Sequence, residues 1–332
     1  MSIILSMFIL CVIVEAYFKY FYIATDDICI SLSSRKWDRE HCKYNSAGFR
    51  DDREFNRSKM NGVFKVGILG DSYVFGQGIN NKKDRFSDIL ENLIQGKFKI
   101  RCEVYNMGKR GWSTKDERDY FLAKGASYKL DALVLCCLEI DDFVSSLSAD
   151  ILSGGAEKNH GYFLTSLLNN SYAFSFFYAQ FYKLRYAYWI KTRRLENKIS
   201  GVISDKNNWE KISSYIDDVK NQCKKQGIAF YIVSFQPTGW FSDSKLNAVV
   251  TKFEKLFKNY LDAHNIKYFF SKDYLKNYRD KDLVVNCFDF HPSRLVNKIV
   301  AEQLLNLMEQ QLRIYKSSVE DGNGSSESVK NG

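Results

Sequence analysis

The chain has 332 residues, of which 45% are hydrophobic, and a formal net charge of +9 at pH 7 with histidine neutral. This hydrophobic content excludes a wholly disordered chain, which lacks the apolar surface needed to form a core. The charges are interleaved along helical segments such as WEKISSYIDDVK, and no nucleic-acid-binding motif occurs. We therefore expect a solvated surface and no nucleic-acid partner.

The N-terminal segment, residues 1–24, predicts a transmembrane anchor. It is apolar over residues 3–14 apart from one serine, and aromatic residues extend it. At about 1.5 Å per helical residue, this segment just crosses a hydrocarbon core of about 30 Å. Glu15 and Lys19 interrupt it but are spaced to pair on one helix face. A cleaved signal peptide is disfavoured because the basic n-region and the A-x-A site are absent. A buried amphipathic helix is the alternative.

Eight cysteines are compatible with more than one compartment. Cys29 and Cys42 flank a short segment and could pair in an extracytoplasmic domain. Cys136 and Cys137 are adjacent in an apolar strand, which indicates buried small hydrophobic residues. No C-x-x-C motif occurs, so we expect no metal site, and the sequence predicts no cofactor.

After a polar connector at residues 25–60, strand and helix patterns alternate along the chain. The predicted strands are 63–69, 100–105, 131–138, 229–235 and 266–270, and the predicted helices are 85–94, 114–124, 209–225, 247–264 and 295–312. The segment DALVLCCL at 131–138 is nearly continuously apolar, which is typical of a strand covered on both faces. The alternation predicts an α/β fold over residues 61–316, a three-layer α/β/α sandwich with a mainly parallel sheet.

Residues 145–205 interrupt this alternation with an aromatic-rich helical stretch. The simplest interpretation is a helical insertion packed on the sheet. A lid over a site, or a second membrane-contacting surface, is the functional alternative. Lys191, Arg193 and Arg194 near its end would suit anionic headgroups. At the other end of the domain, residues 317–332 are polar and rich in Gly and Ser, which predicts a disordered tail.

The stretch KVGILGDSYVFGQG at residues 65–78 predicts a reactive group. Ser72 stands at the carboxyl end of a buried strand, just before a helix, where open α/β sheets place their sites. Helix N-terminal amides there can stabilise a developing anion. A serine hydroxyl also requires a base to remove its proton, and histidine is the usual base near neutral pH.

Of the four histidines, His291 is the candidate base. It lies in FDFHPSRL, which is predicted to be a loop just before the last helix, and Asp289 two residues earlier can orient the imidazole and stabilise its protonated form. His41 in the connector, His160 in a glycine-bearing loop and His264 at a helix end are interpreted as surface residues.

Together these stretches resemble the sequence blocks of the SGNH (GDSL-type) hydrolase superfamily. Gly70-Asp71-Ser72 is similar to the first block, which carries the nucleophile, and YNMGKRGWST at 105–114 is similar to the second. Asp289-Phe290-His291-Pro292 is similar to the last block. The resemblance extends from about residue 44 to 312 and includes YNSAGFRD in the connector, which is familiar from membrane-anchored or exported members. It implies a catalytic triad of Ser72, His291 and Asp289, with the amides of Ser72 and Gly111 in the oxyanion hole.

The third block departs from the family pattern, in which an asparagine amide completes the oxyanion hole. Here EIDD at 139–142 places Asp141 at that position. An ionised carboxylate would repel an oxyanion, and the loss of one donor costs about 100- to 1,000-fold in rate. Asp141 could be protonated and donate, it could point elsewhere while another group substitutes, or the site could be catalytically weak.

The resemblance implies a serine esterase or O-acyltransferase that acts on small acyl esters, often acetyl, of a cell-envelope glycan or lipid. It also implies membrane anchoring, a periplasmic or extracytoplasmic catalytic domain, and a membrane acyltransferase as a potential partner. The positive-inside rule weakly favours the opposite orientation, because Arg and Lys follow the anchor. The alternatives are a catalytically inactive glycan-binding or assembly module and a flavodoxin-like or nucleotide-binding domain. The last is disfavoured because residues 70–78 lack both the Walker lysine and the Rossmann spacing.

Overall fold

Five strands form a parallel sheet in the computed structural model, which describes residues 2–26, 29–138, 162–192, 200–201, 203–236 and 244–327. The strands are β1 (Val63–Gly70), β2 (Arg101–Gly108), β3 (Ala132–Leu138), β4 (Ala229–Phe235) and β5 (Lys267–Phe270). Their order is β2-β1-β3-β4-β5, and each neighbouring pair is parallel. The predicted α/β fold class is confirmed, and each predicted strand is present.

The helices, numbered in chain order, cover both faces of this sheet. They are α1 (Ser2–Ala16, continued by a π-helical turn, Tyr17–Phe21), α2 (Leu32–His41), α3 (Ser72–Phe75), α4 (Phe86–Phe98), α5 (Thr114–Ala123), α6 (Tyr162–Asn170), α7 (Tyr172–Thr192), α8 (Lys206–Gln226), α9 (Ser244–Ala263), α10 (Lys272–Leu275), α11 (Asp280–Leu283) and α12 (Arg294–Glu327). Between α11 and α12, strands β6 (Val284–Asn286) and β7 (Asp289–Pro292) form an antiparallel hairpin.

Strand β3 shows why the sheet is covered on both faces. All seven of its residues are buried, and successive side chains of a strand point to opposite faces. Leu133 and Leu135 join a core with residues of α5, α8 and α9. Val134 and Cys136 join the opposite core with residues of α4 and α12. The result is the three-layer sandwich that the alternation of strands and helices predicted.

The segment predicted as a polar connector, residues 25–60, is folded onto the domain. It contains α2, and the side chains of Trp37, Phe49 and Arg50 are almost fully buried. Phe49 joins the core on the α5 side of the sheet, and Trp37 packs with Cys42 and Phe75. The proposed disulfide is not formed in the structure, since Cys29 and Cys42 are free thiols. The expectation of a connector is therefore corrected, because aromatic side chains spaced along a polar segment anchor it to the core.

Helix α12 continues to Glu327, past the predicted end at residue 312 and into the segment predicted as a disordered tail. Tyr315 packs edge-on against Phe64 with the ring centroids 4.9 Å apart, so packing extends beyond Leu312. A helix that is already nucleated gains one hydrogen bond for each residue it adds, which permits a polar extension.

One helical segment in the described part of the chain, Ile3–Phe21, is long and apolar enough to cross a membrane. It has 19 residues with a mean hydropathy of 1.9 over its most apolar stretch, of which 6% is buried. A signal sequence would have the same length and composition. Glu15, predicted to pair with Lys19, accepts hydrogen bonds from the Tyr172 and Ala173 amides of α7 at 2.8 and 3.0 Å and from the Ser171 hydroxyl at 2.7 Å.

Candidate active site

The strand order creates a switch point between β1 and β3. The connection from β1 leads to β2 on one side, and the connection from β3 leads to β4 on the other side. The two connections therefore leave β1 and β3 in opposite directions. In doubly wound sheets, ligands bind outside the carboxyl ends of the strands at such a point. Ser72, two residues after the end of β1, is the first residue of α3. The fold thus places this serine where the sequence predicted a reactive group.

Two glycines allow α3 to approach the ends of the strands. A Cβ atom at Gly108, the last residue of β2, would lie 2.2 Å from the Phe75 amide nitrogen. A Cβ atom at Gly70, the last residue of β1, would lie 2.3 Å from Cγ2 of Val74. Larger residues would push α3 away from the sheet, so these glycines determine the position of the serine.

Asp71, the residue before the serine, is the N-cap of α3. Its Oδ1 accepts a hydrogen bond from the Tyr73 amide at 2.8 Å, which satisfies one of the free amides at a helix N-terminus. Its Oδ2 lies 3.4 Å from Ser72 Oγ. Burial raises the pKa of this carboxyl.

The candidate base lies on β7 rather than in the predicted loop. Because successive side chains of a strand alternate in direction, Asp289 and His291 are buried while Phe290 is 44% exposed. The hairpin is joined to α12 by Asn297, whose Nδ2 donates to the Pro292 carbonyl at 3.2 Å. The D-x-H spacing thus brings the carboxylate and the imidazole to the same face of one short strand.

These elements bring the three predicted triad residues into contact. His291 Nε2 lies 2.8 Å from Ser72 Oγ, and His291 Nδ1 lies 2.5 Å from Asp289 Oδ1. Asp289 is fully buried. Burial alone would raise the pKa of this carboxyl, but the charge and hydrogen bonds of His291 outweigh it and lower the pKa to about 2. An ionised carboxylate therefore orients a ring whose other nitrogen faces the serine hydroxyl.

Gly111, the predicted oxyanion donor, lies in the loop after β2. Its φ of +73° is in the left-handed region that favours glycine. A Cβ built there would meet none of the atoms of the described residues within 4 Å. The loop is tied to the end of β1, since the Lys109 amide donates to the Gly70 carbonyl at 3.0 Å. Asp141, the third predicted member of the oxyanion hole, lies outside the described residues.

Arg110, next to Gly111, was not anticipated from the sequence. Its Nε donates to Gln77 Oε1 at 2.5 Å, and its Nη2 pairs with Asp38 of α2 at 2.7 Å. Its guanidinium carbon lies 4.0 Å from the ring centroid of Phe75 in α3. One side chain thus links the loop that carries Gly111 (the oxyanion loop), helix α3 and the polar segment at residues 25–60.

Arg50, in the GFRD stretch of that segment, supports the turn that follows the serine helix. Its Nη1 donates to the Gly76 carbonyl at 2.7 Å, and its Nη2 donates to the Ile79 carbonyl at 2.6 Å. The segment predicted as a connector therefore helps to position Ser72. The sequence shows only an arginine in a polar stretch, which predicts neither its burial nor its partners.

Glu117 is a second buried carboxyl near the serine turn. It lies on α5, is fully buried, and neither of its side-chain oxygens has a hydrogen-bond partner in the described structure. Burial and the nearby carboxyls of Asp71 and Asp116 raise the pKa of Glu117 well above its usual value. Burial therefore favours the protonated form of this carboxyl.

Two of the remaining histidines take no part in the triad. His41 packs against Trp37 with the ring centroids 5.7 Å apart. His264 follows the last residue of α9, and the distance from its Nδ1 to the Tyr260 carbonyl oxygen is 2.8 Å. His160 lies outside the described residues.

Comparison with solved structures finds proteins of the type that the motifs resemble. A lipolytic protein of the G-D-S-L family from Desulfitobacterium hafniense DCB-2 is 14% identical, with a TM-score of 0.45, over 73% of this chain and 98% of that chain. The lipase Lip_vut3 from a goat rumen metagenome is 14% identical, with a TM-score of 0.46, over 74% and 97%. A catalytic mutant of Axe2, an acetylxylan esterase from Geobacillus stearothermophilus, is 13% identical, with a TM-score of 0.46, over 76% and 96%.

No protein-family model and no curated protein matches the sequence. The TM-scores of these three structures are below 0.5. The fold assignment is therefore based on the strand order of this chain, and the site assignment is based on its side-chain geometry.

Proposed function

We propose that the chain is an SGNH-type serine enzyme that cleaves or transfers small acyl esters. The observation that carries the proposal is the contact series from Asp289 to His291 to Ser72, with distances of 2.5 and 2.8 Å. A buried carboxylate, an oriented imidazole and a serine at the amino end of a helix are the groups that acyl transfer requires.

In the first half of the reaction, Ser72 Oγ bonds to the ester carbonyl carbon while His291 Nε2 takes the hydroxyl proton. The amides of Ser72 and Gly111 donate to the oxyanion. The ester C–O bond then breaks, and His291 returns its proton to the leaving alcohol. Asp289 stays ionised and stabilises the imidazolium. In the second half, water or a sugar hydroxyl attacks the acyl carbon while His291 takes the proton. The bond between the acyl carbon and Ser72 Oγ then breaks, which releases the acid or the sugar ester, and His291 returns the proton to Ser72 Oγ.

The proposed substrate is a small acyl ester, such as an acetyl ester, of a cell-envelope glycan or lipid. The proposed location is outside the cytoplasm, on an N-terminal helix that is retained. Retention is supported by Glu15, which binds the amino end of α7, because cleavage of the helix would remove that contact. A membrane acyltransferase is the proposed source of acyl groups if the acceptor is a sugar.

The second candidate is a catalytically weak or inactive SGNH-like module that binds a glycan or takes part in assembly. Asp141 in place of the family asparagine is the observation that favours it. The arrangement of the Ser72, His291 and Asp289 side chains argues against this candidate. A module that only binds has no use for a base within hydrogen-bond distance of a serine hydroxyl.

The test is the hydrolysis of a short-chain chromogenic ester by the full chain in detergent. Ser72→Ala is expected to abolish turnover, whereas Ser214→Ala, at an exposed position on α8, is expected to leave it unchanged. Asp141→Asn is expected to raise kcat by about tenfold or more, because an amide donor replaces a carboxylate in the oxyanion hole. A wild-type rate no faster than that of Ser72→Ala, both on this ester and in acyl transfer to glycans, would support the binding module.

A further inference from the structure

Helix α7 presents a stripe of apolar side chains to solvent. Phe177, Phe181 and Leu184 are 57%, 62% and 71% exposed, and their spacing of four and three residues places them on one helix face. We call Phe177, Phe181 and Leu184 the aromatic stripe. Contiguous exposed apolar surface of this kind marks an interaction site.

The stripe begins beside the carboxyl end of the apolar N-terminal helix. The ring centroid of Phe18 lies 4.6 Å from that of Phe176 and 5.6 Å from that of Phe177. The Glu15 carboxylate accepts from the first amides of α7, a position where a negative charge is favoured by the helix dipole. The apolar surface of Ile3–Phe21 therefore continues onto α7.

On another side, α7 touches the hairpin that carries the proposed base. Phe176 packs edge-on against Phe288 with the ring centroids 5.2 Å apart. Lys183 Nζ donates to the Phe288 carbonyl at 2.6 Å and lies 4.8 Å from the ring centroid of Phe290. Phe288 immediately precedes Asp289, so the helix that carries the stripe also contacts the triad strand.

We propose that the aromatic stripe rests in the interfacial layer of a lipid bilayer, so that the triad meets an acyl ester carried by a membrane lipid. The substrate half of this inference rests on the proposed function; the membrane contact does not. A bilayer fits better than a protein partner for two reasons. The stripe is continuous with a segment long enough to span a membrane, and α7 contains lysine and arginine but no acidic residue, which suits anionic headgroups.

The membrane contact is tested with the full chain in vesicles that contain anionic phospholipid. The photoreactive residue p-benzoylphenylalanine replaces Phe181 in one variant. In the matched control it replaces Ile314, which is 58% exposed on α12, next to Tyr315 at the amino end of β1. Mass spectrometry after illumination is expected to find lipid adducts at position 181 and none at 314. Equal lipid labelling at both positions, no lipid adduct at 181, or an adduct to another protein at 181 would overturn the proposal.

The substrate class is tested with Phe181→Gln, assayed on a lipid-borne acyl ester in vesicles and on a short soluble ester. We expect KM for the lipid-borne ester to rise about tenfold, because one aromatic contact with the bilayer is lost. The rate on the soluble ester is expected to stay unchanged. Ile314→Gln is expected to change neither. Equal losses on both esters would contradict the lipid-borne substrate. If the wild type turns over neither ester, the proposed function fails, while photocrosslinking at position 181 still decides the membrane contact.

Discussion

Ser72 and His291 lie 2.8 Å apart, but different parts of the molecule support them. The serine follows β1, all eight residues of which are buried, and its helix rests directly on the ends of β1 and β2. The histidine lies on a hairpin of three and four residues outside the main sheet. That hairpin is held by α12 on one side and by α7, the helix joined to the N-terminal segment, on another.

The difference indicates that the nucleophile and the base respond to different perturbations. The position of the serine follows from the formation of the core. The position of the histidine depends on contacts with elements that also touch the apolar N-terminal helix. Substitutions on the two sides of the site should therefore have effects of different size.

The largest effect on kcat is expected at the contact between His291 and Ser72, where the two sides of the site meet. His291→Gln removes the general base, and kcat is expected to fall about 10⁴-fold. His264→Gln, at a half-exposed position after α9, serves as the control and is expected to leave kcat unchanged. Steady-state kinetics on the chromogenic ester measures both. A residual rate in His291→Gln above one-tenth of the wild-type rate would contradict the role of His291 as the base.

On the serine side, Arg110→Met is expected to lower kcat by about 10- to 100-fold with a smaller change in KM. The reason is that the oxyanion loop loses its connection to α2 and α3, and a displaced donor forfeits much of its contribution to transition-state stabilisation. Arg118→Met is the matched control, since Arg118 packs on Tyr215 away from the loop. Equal effects of the two substitutions would show that Arg110 does not position Gly111.

On the histidine side, Lys183→Met is expected to lower kcat/KM about fivefold. This corresponds to the loss of one charge-assisted hydrogen bond that holds the hairpin, worth about 1 kcal/mol net. Lys206→Met, with a side chain that is 88% exposed, is the control. A loss as large as that of Arg110→Met would mean that α7 is as important for the site as the oxyanion loop, and the contrast between the two sides would disappear.

The substitution with the smallest expected effect on the rate is at Glu117, where the expected effect is on stability. Because the pKa of Glu117 is raised in the folded state, the unfolded chain releases this proton first, and folding stability declines as pH rises above the ordinary glutamate value. Glu117→Gln removes that dependence. We expect the variant to gain about 1.4 kcal/mol relative to the wild type for each pH unit above about 4.5, up to the folded-state pKa. Urea unfolding at pH 5, 6 and 7 measures this gain, and a pH-independent difference would contradict a raised pKa of Glu117 in the folded state.

The sequence predicted the central fold well because buried parallel strands have a strong local pattern. The strand over residues 229–235 has the predicted limits, and the helix predicted over residues 114–124 begins at Thr114, with a capping box between Ser113 and Asp116. The three residues of the proposed triad could also be selected from the sequence, since a serine after a strand and a D-x-H pair before the last helix are local features.

The supporting contacts could not be predicted, since they join residues far apart in sequence. Glu15 meets Tyr172 across 157 positions, whereas the local pattern suggested only Lys19. Arg110 and Asp38 show the same difficulty: each is an ordinary surface charge in its own segment. Residues 25–60 were interpreted as a connector because their anchoring side chains are spread along a polar stretch without helical or strand periodicity.

The measurement that tests the central claim most directly is labelling of the full chain with a fluorophosphonate probe, followed by peptide mapping. A phosphonyl adduct on Ser72, formed at least about a hundredfold more slowly in His291→Gln, is the predicted result, because the probe reacts with a serine activated by a base. An unlabelled Ser72 in the wild-type chain, or labelling at the same rate in His291→Gln, would contradict an active Ser72–His291–Asp289 triad.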